Sequence, residues 1–237
     1  MTVNDCTSRE SALWMLTVSL ARLMEHQPDA RVFNVALSGG DTAKQMFRLW
    51  ASAARDRLDW TRLQFFWVDE RCVPDTDEES NYGQACRLLF KPLQISEGRL
   101  HHIRGEEDPE IEATRYGNEV ERWLPKHNGI PRFDCIILGI GADLHTASIF
   151  PDSMDLLTDE RFYAVSAHPQ TGQKRITMTG TLLLNDSPIL IPLLGRGKSD
   201  VADVIIAGCP DKADTPAAYI LSKAKDVTIY RTQTFCE

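Results

Sequence analysis

The chain lacks the features that would direct it to a membrane, to nucleic acid or to an oxidising compartment. No apolar run approaches the ~20 residues that a membrane-spanning helix needs. Basic residues are in deficit: 26 Lys and Arg stand against 34 Asp and Glu, a net charge of −8. That balance argues against non-specific binding to nucleic acid or to anionic lipid, although a small anion needs only a few local cations. Six cysteines, at positions 6, 72, 86, 135, 209 and 236, form no Cys-x-x-Cys pair. They read as reduced thiols rather than a disulfide framework. The first ten residues lack the charged and apolar regions of a secretory signal, so a cytoplasmic location is expected. There is no Gly-x-Gly-x-x-Gly and no P-loop ending in Gly-Lys-Ser/Thr, which weakens any dinucleotide or nucleotide reading. Repeats, low-complexity tracts and linkers are missing too, and one domain is expected over residues 1–237.

What remains is an alternation of helical and extended patterns. Residues 8–27 carry Leu13, Leu16, Leu20, Leu23 and Met24 at helical spacing. Helices are also expected over 41–54, 81–89, 106–124 and 197–207. Strands are expected over 31–37, 63–68, 133–138, 163–166, 175–179, 187–194 and 227–230. Strands alternating with helices predict an α/β fold, a mainly parallel sheet with helices on both faces. In such sheets ligands bind outside the carboxyl ends of the strands.

Chemistry-bearing residues cluster at those ends. The buried run Cys135-Ile136-Ile137-Leu138 is followed by Gly139 and Gly141, then by Asp143, His145, Thr146 and Ser148. A carboxylate and an imidazole two residues apart suit proton transfer near neutral pH; a helix cap beside a loop histidine is the plain alternative. After the strand ending at Leu37 comes Ser38-Gly39-Gly40-Asp41-Thr42. A glycine turn leading into a helix N-terminus favours a phosphate, unless Asp41 or Thr42 simply caps the helix. After Val68 come Asp69, Glu70 and Arg71, then Ser80-Asn81-Tyr82. These offer acids, a base and a bidentate anion ligand, or a mutual ion pair on the rim. Arg175 and Lys198, each beside an expected strand end or helix start, could neutralise a phosphate. His101 and His102 have no complementary ligands in sequence, and no metal site is expected there.

The order and wording of these segments resemble 6-phosphogluconolactonases over residues 8–230. The segments are Ser38-Gly39-Gly40-Asp41-Thr42, Asp69-Glu70-Arg71 with Val73-Pro74, Ser80-Asn81-Tyr82, the run from Leu138 to Pro151, Arg175-Ile176-Thr177-Met178-Thr179, and Gly197-Lys198. The resemblance implies a Rossmann-like fold shared with glucosamine-6-phosphate deaminases. It implies hydrolysis of 6-phosphoglucono-1,5-lactone, a small sugar phosphate, without metal or organic cofactor. By position, His145 matches the proposed catalytic base, Asp143 its motif neighbour, Asp69 the catalytic acid of the deaminase relatives, and Arg71 the active-site arginine. Ser38, Gly39, Gly40 and Thr42 match the phosphate loop, with Arg175 and Lys198 as its cations.

Two residues depart from the family pattern. Leu144 stands where Gly is usual, and a positive φ there would cost on the order of 1–2 kcal/mol. Asp41 stands where Ser is usual and brings a carboxylate toward the expected anion. Two other readings stay open, a non-catalytic sugar-phosphate sensor and a hexosamine-phosphate deaminase. Against the second, Phe150 occupies the position at which the deaminases carry a Glu, five residues after the motif His.

Overall fold

The structure is a computed structural model that describes residues 1–28, 31–194 and 214–232. The strands are β1 (Thr2–Cys6), β2 (Phe33–Leu37), β3 (Leu63–Trp67), β4 (Asp69–Arg71), β5 (Lys126–His127), β6 (Ile130–Pro131), β7 (Cys135–Ile137), β8 (Tyr163–Ala167), β9 (Lys174–Met178), β10 (Ile189–Leu193) and β11 (Val227–Thr232). The α-helical segments are α1 (Arg9–Glu25), α2 (Asp41–Ala51), α3 (Asn81–Ala85), α4 (Lys91–Leu93), α5 (Pro109–Trp123), α6 (Gly180–Leu183) and α7 (Pro216–Lys223).

Six strands form a parallel sheet in the order β1-β11-β10-β7-β2-β3. Every residue of β2, β3, β7 and β10 is buried. That is why they read as unbroken apolar runs: both faces are covered. The expected α/β class and mainly parallel sheet are therefore present. The connections β1-α1-β2 and β2-α2-β3 move one way across the sheet, whereas the path from β3 through α5 to β7 moves back. With right-handed crossovers this puts α1 and α2 on one face and α5 on the other. Trp50 of α2 donates from Nε1 to Thr17 Oγ1 of α1 at 2.8 Å, tying the first pair together. On the other side, Tyr116 of α5 accepts at its hydroxyl from Trp67 N (2.9 Å), and Tyr163 Oη donates to Trp67 O (2.8 Å).

The reversal makes β2 and β7 neighbours whose chains continue in opposite directions, a topological switch point with a crevice at the strand carboxyl ends. Beyond Trp67 the chain leaves this sheet. Its next strand, β4, joins an antiparallel sheet in the order β4-β9-β8.

Several elements were not expected, the short α4 and α6 among them. β1 has the sequence Thr-Val-Asn-Asp-Cys and alternates poorly, because it is an edge strand paired only with β11. β4, the β5-β6 hairpin and α7 are short. The expected helix over 81–89 is α3 followed by a π-helical turn, Cys86–Phe90. The helix expected over 197–207 lies outside the described residues. Cys6, Cys72, Cys86 and Cys135 are free thiols; Cys209 and Cys236 lie outside the described residues. Among the described residues no helix is long and apolar enough to cross a membrane.

Candidate active site

The crevice at the switch point holds a cavity of about 170 Å³. Its walls include Ser38, Gly39, Gly40, Asp69, Arg71, His145 and Arg175, all singled out in the sequence, together with Asn81, Gly139, Ile140, Gly141 and Ala147. Each wall is placed by a strand end.

Ser38 extends β2 and staples it to β7. Its N–H donates to Ile137 O at 3.1 Å, and its Oγ accepts from Gly139 N at 3.2 Å. A Cβ on Gly39 would lie 1.7 Å from Asn81 Oδ1, so only glycine lets the β2 turn pass that close to α3. Gly40 is the N-cap of α2, and no side chain caps the helix. The capping alternative for Asp41 and Thr42 is thus not realised, and first-turn N–H groups are left for a ligand. Asp41 is turned outward, 91% exposed, with Lys44 Nζ 3.4 Å away. Thr42 does not line the main cavity; it lines an adjoining pocket of about 50 Å³.

The loop after β7 carries the acid–base pair. His145 Nδ1 and Asp143 Oδ1 are 2.5 Å apart. With the carboxylate accepting from Nδ1–H, the tautomer assigned to His145 leaves a lone pair on Nε2. A Cβ on Gly141 would meet His145 Cε1 at 2.2 Å and Asp143 Oδ1 at 2.6 Å, so glycine is required for the pair to fold back over the loop. Leu144 has φ +66° and Ala147 φ +54°. Leu144 therefore does take the positive φ for which the family uses Gly. It is 3% exposed, and burial of its side chain offsets the strain by about 2 kcal/mol. Its carbonyl also accepts from Ala217 N of α7 at 3.0 Å. Phe150 is buried, with its ring 4.9 Å from that of His145.

The third wall is β4 with β9. Asp69 is buried, and its Oδ2 accepts from Ser148 Oγ at 2.7 Å. Its carbonyl accepts from Asn81 Nδ2 at 2.9 Å. Glu70 points away from the cavity and takes no ion pair with Arg71. Instead its carboxylate accepts from the N–H groups of Arg71 (2.7 Å), Asn81 (2.8 Å) and Tyr82 (2.8 Å) and from Ser80 Oγ (3.1 Å). Burial pushes this carboxyl up to about 7, against the pull of those N–H donors. The rim ion pair entertained from sequence is replaced by a buried anchor for the start of α3. Arg71 and Arg175 keep buried Nε atoms with no partner among the described residues. Burial, and then the Arg71 charge, lowers the Arg175 guanidinium below its ordinary range. Lys198 lies outside the described residues.

His101 is buried against Phe66 and bonded to Glu119 at 2.8 Å, away from the cavity. Among the described residues no three His, Cys, Asp or Glu side chains gather as a metal site would need. Asn81 and Ser148 stood in the sequence motifs without a role. Their contacts span 12 and 79 residues, and nothing local signals them.

A family profile described as glucosamine-6-phosphate isomerases/6-phosphogluconolactonase matches residues 9–229. The chain belongs to this family. Within it, the 6-phosphogluconolactonase of Treponema pallidum is 43% identical over 194 residues, covering 82% of this chain and 79% of the relative. That of Haemophilus influenzae is 39% identical over 191 residues, covering 80% of each. A solved structure described as devB protein superposes with a TM-score of 0.85 at 35% identity, covering 98% of this chain and 96% of the other. The family's description joins two sugar-phosphate chemistries, an isomerase and a lactonase.

Proposed function

We propose that the chain hydrolyses 6-phospho-D-glucono-1,5-lactone to 6-phosphogluconate, the lactone step of the oxidative pentose phosphate pathway. The observation that carries this reading is His145, bonded from behind by Asp143, lining the same cavity as two arginines whose Nε atoms have no partner among the described residues. It accords with the curated relatives, which are named as lactonases. A lactone is an activated ester, so water is a sufficient nucleophile once it is positioned and deprotonated.

His145 Nε2 takes a proton from that water as its oxygen bonds to C1. The carbonyl electrons move onto the carbonyl oxygen, and positive or N–H groups on the walls stabilise it. As the oxyanion collapses, the bond from C1 to the ring oxygen breaks. The imidazolium returns its proton to that oxygen, and the product acid loses its own proton to solvent. Asp143 holds the ring and favours the imidazolium while it exists. Asp69, fixed by Ser148, accepts a hydroxyl of the substrate or the attacking water. Arg175, Lys198 and the turn of Ser38, Gly39, Gly40 and Thr42 hold the phosphate, and Arg71 stands between phosphate and reacting centre.

The deaminase reading finds no support at Phe150, where an acid would be needed: the side chain is apolar and packed on His145. The test is pH-stat hydrolysis of freshly made 6-phosphogluconolactone, corrected for the spontaneous reaction. A rate well above background is expected. No rate above background, with 6-phosphogluconate still bound, would favour the sensor reading.

A further inference from the structure

Arg71 and Arg175 are paired directly across β4 and β9. Like charges in facing cross-strand positions repel, so something must hold them there. Neither guanidinium is hydrogen-bonded to a carboxylate among the described residues. Arg71 Nη1 donates to the backbone carbonyl of Glu79 at 2.5 Å. Arg175 Nη2 donates to the side-chain amide oxygen of Gln173 at 3.1 Å. The two acceptors are joined in turn, because Gln173 Nε2 donates to Glu79 Oε2 at 2.7 Å. Arg71, Glu79, Gln173 and Arg175 thus form a closed bracket at the cavity mouth, linking the loop before α3 to the turn between β8 and β9.

The chemistry of the bracket is selective. A guanidinium needs acceptors, and a carboxylate would satisfy it but cancel its charge. Here the two acceptors facing the arginines are a peptide carbonyl and a neutral amide, and the same amide occupies the Glu79 carboxylate. Both Nε–H groups stay without partners. Two cations held side by side, with carboxylates near them but none hydrogen-bonded to either guanidinium among the described residues, suit a dianion better than a neutral sugar.

We propose that Gln173, braced by Glu79, is a positioning and specificity residue that presents Arg175 beside Arg71 to the phosphate of the substrate. The proposal rests on the lactonase reading above. Gln173 itself need not touch the substrate; it acts through Arg175.

The test compares Gln173→Ala and Gln173→Glu with the wild type on 6-phosphogluconolactone and on unphosphorylated gluconolactone. Gln173→Ala should raise KM for the phosphorylated lactone roughly fivefold to tenfold, the scale of one ordinary net hydrogen bond. Its kcat should stay within about twofold. Gln173→Glu, which sets a carboxylate against Arg175 and repels Glu79, should raise KM further. Neither variant should change kcat/KM for the unphosphorylated lactone by more than about twofold. Gln173 is a half-buried residue of a turn, outside the core, so the melting temperature should hold and a folding failure would be visible separately. Equal losses on both substrates, or no change on the phosphorylated one, would overturn the assignment and leave the lactonase reading intact. If the wild type itself fails on 6-phosphogluconolactone, that reading falls. The bracket is then judged by calorimetric binding of 6-phosphogluconate, which must weaken in Gln173→Ala for the inference to survive.

Discussion

At the amino end of β7, Asp134 accepts hydrogen bonds from Gln27 Nε2 (2.8 Å), Arg31 Nη2 (3.0 Å), Asn34 N (2.8 Å) and Asn34 Nδ2 (3.2 Å). At the carboxyl end of the same sheet, Arg71 and Arg175 keep buried Nε atoms unpartnered, and Leu144 and Ala147 sit at positive φ. At the amino end four donors converge on one carboxylate, although Gln27 Oε1 and Asn34 Oδ1 beside it also lack partners among the described residues; at the carboxyl end the unpartnered Nε atoms belong to side chains that line a cavity. A buried polar group without a partner costs on the order of 1–3 kcal/mol, and such costs gather where a ligand supplies the missing partner. The amino end should therefore govern stability and the carboxyl end activity.

The sharpest separation comes from His145→Ala. Loss of general-base catalysis should lower kcat for 6-phosphogluconolactone by ~10²–10⁴-fold. The half-exposed ring contributes little to the core, so the melting temperature should hardly move. Nearly full kcat in this variant would move the base elsewhere, with Asp69 next in line. At the opposite end, Asp134→Ala strands the buried Asn34 N and removes the partner of the half-exposed Arg31 guanidinium. A loss of about 2–4 kcal/mol in unfolding free energy is expected, read from urea midpoints, with kcat of the folded fraction unchanged. Loss of kcat at full stability would erase the contrast between the two ends.

That contrast was only half legible in the sequence. The apolar runs of β2, β3, β7 and β10 announced a buried parallel sheet, and the polar residues just after them announced the cavity. Asp69, Arg71 and the Ser38-Gly39-Gly40 turn could be named because each closely follows such a run, His145 because it belongs to the motif after β7, and Arg175 because it stands at an end of an expected strand. β1 could not be read, because an edge strand with one buried residue has no pattern to show. The partners could not be read either. Ser148 finds Asp69, Asn81 finds the carbonyl of Asp69 and packs against Gly39, and Gln173 finds Glu79 only through folding. Glu70 is the clearest case. Between Asp69 and Arg71 it looks like a third catalytic charge, yet strand alternation turns it to the opposite side, where it anchors α3.

Glu70 gives the comparison a pH axis. Its carboxyl ordinarily titrates at 4.5 and is pushed up to about 7 by burial, partly countered by N–H donors from Tyr82, Asn81 and Arg71. Between those values the folded chain holds a proton that the unfolded chain has released. This group's contribution is therefore fully present below pH 4.5, falls as pH rises through the window, and levels off above 7. The span is on the order of 3 kcal/mol. Urea midpoints between pH 5 and 8 should show that fall in the wild type, and Glu70→Gln should flatten it. A wild-type stability that rises over the same range would mean the N–H donors outweigh burial.

Leu144→Gly weighs strain against packing within the carboxyl end. Glycine would release about 1–2 kcal/mol of backbone strain. It would also forfeit about 2–3 kcal/mol of burial and add about 0.5–1 kcal/mol of unfolded-state entropy. The net expectation is a destabilisation of about 1–2 kcal/mol, measured by denaturant titration, with kcat within about threefold because the Asp143–His145 pair is retained. A stabilised variant would show that the strain at Leu144 exceeds what its buried side chain returns.

The smallest effect is expected at Asp41, the second departure from the family pattern. Its carboxylate begins α2 beside the phosphate turn, yet it is 91% exposed and 3.4 Å from Lys44 Nζ. An exposed pair at this spacing contributes about 0.2–0.5 kcal/mol, and a carboxylate in the first helical turn adds about 0.3–1 kcal/mol. Serine would surrender part of both but could supply a hydroxyl to the turn. Asp41→Ser should therefore change stability by less than about 1 kcal/mol. In the same variant, removing a negative charge near a bound dianion should leave KM for the phosphorylated lactone unchanged or lower it up to about threefold, more at low salt than at high salt. The salt dependence is the deciding readout, because a screened surface charge must lose its influence as ionic strength rises. A tenfold increase in KM that persists in high salt would place the Asp41 carboxylate in direct contact with substrate.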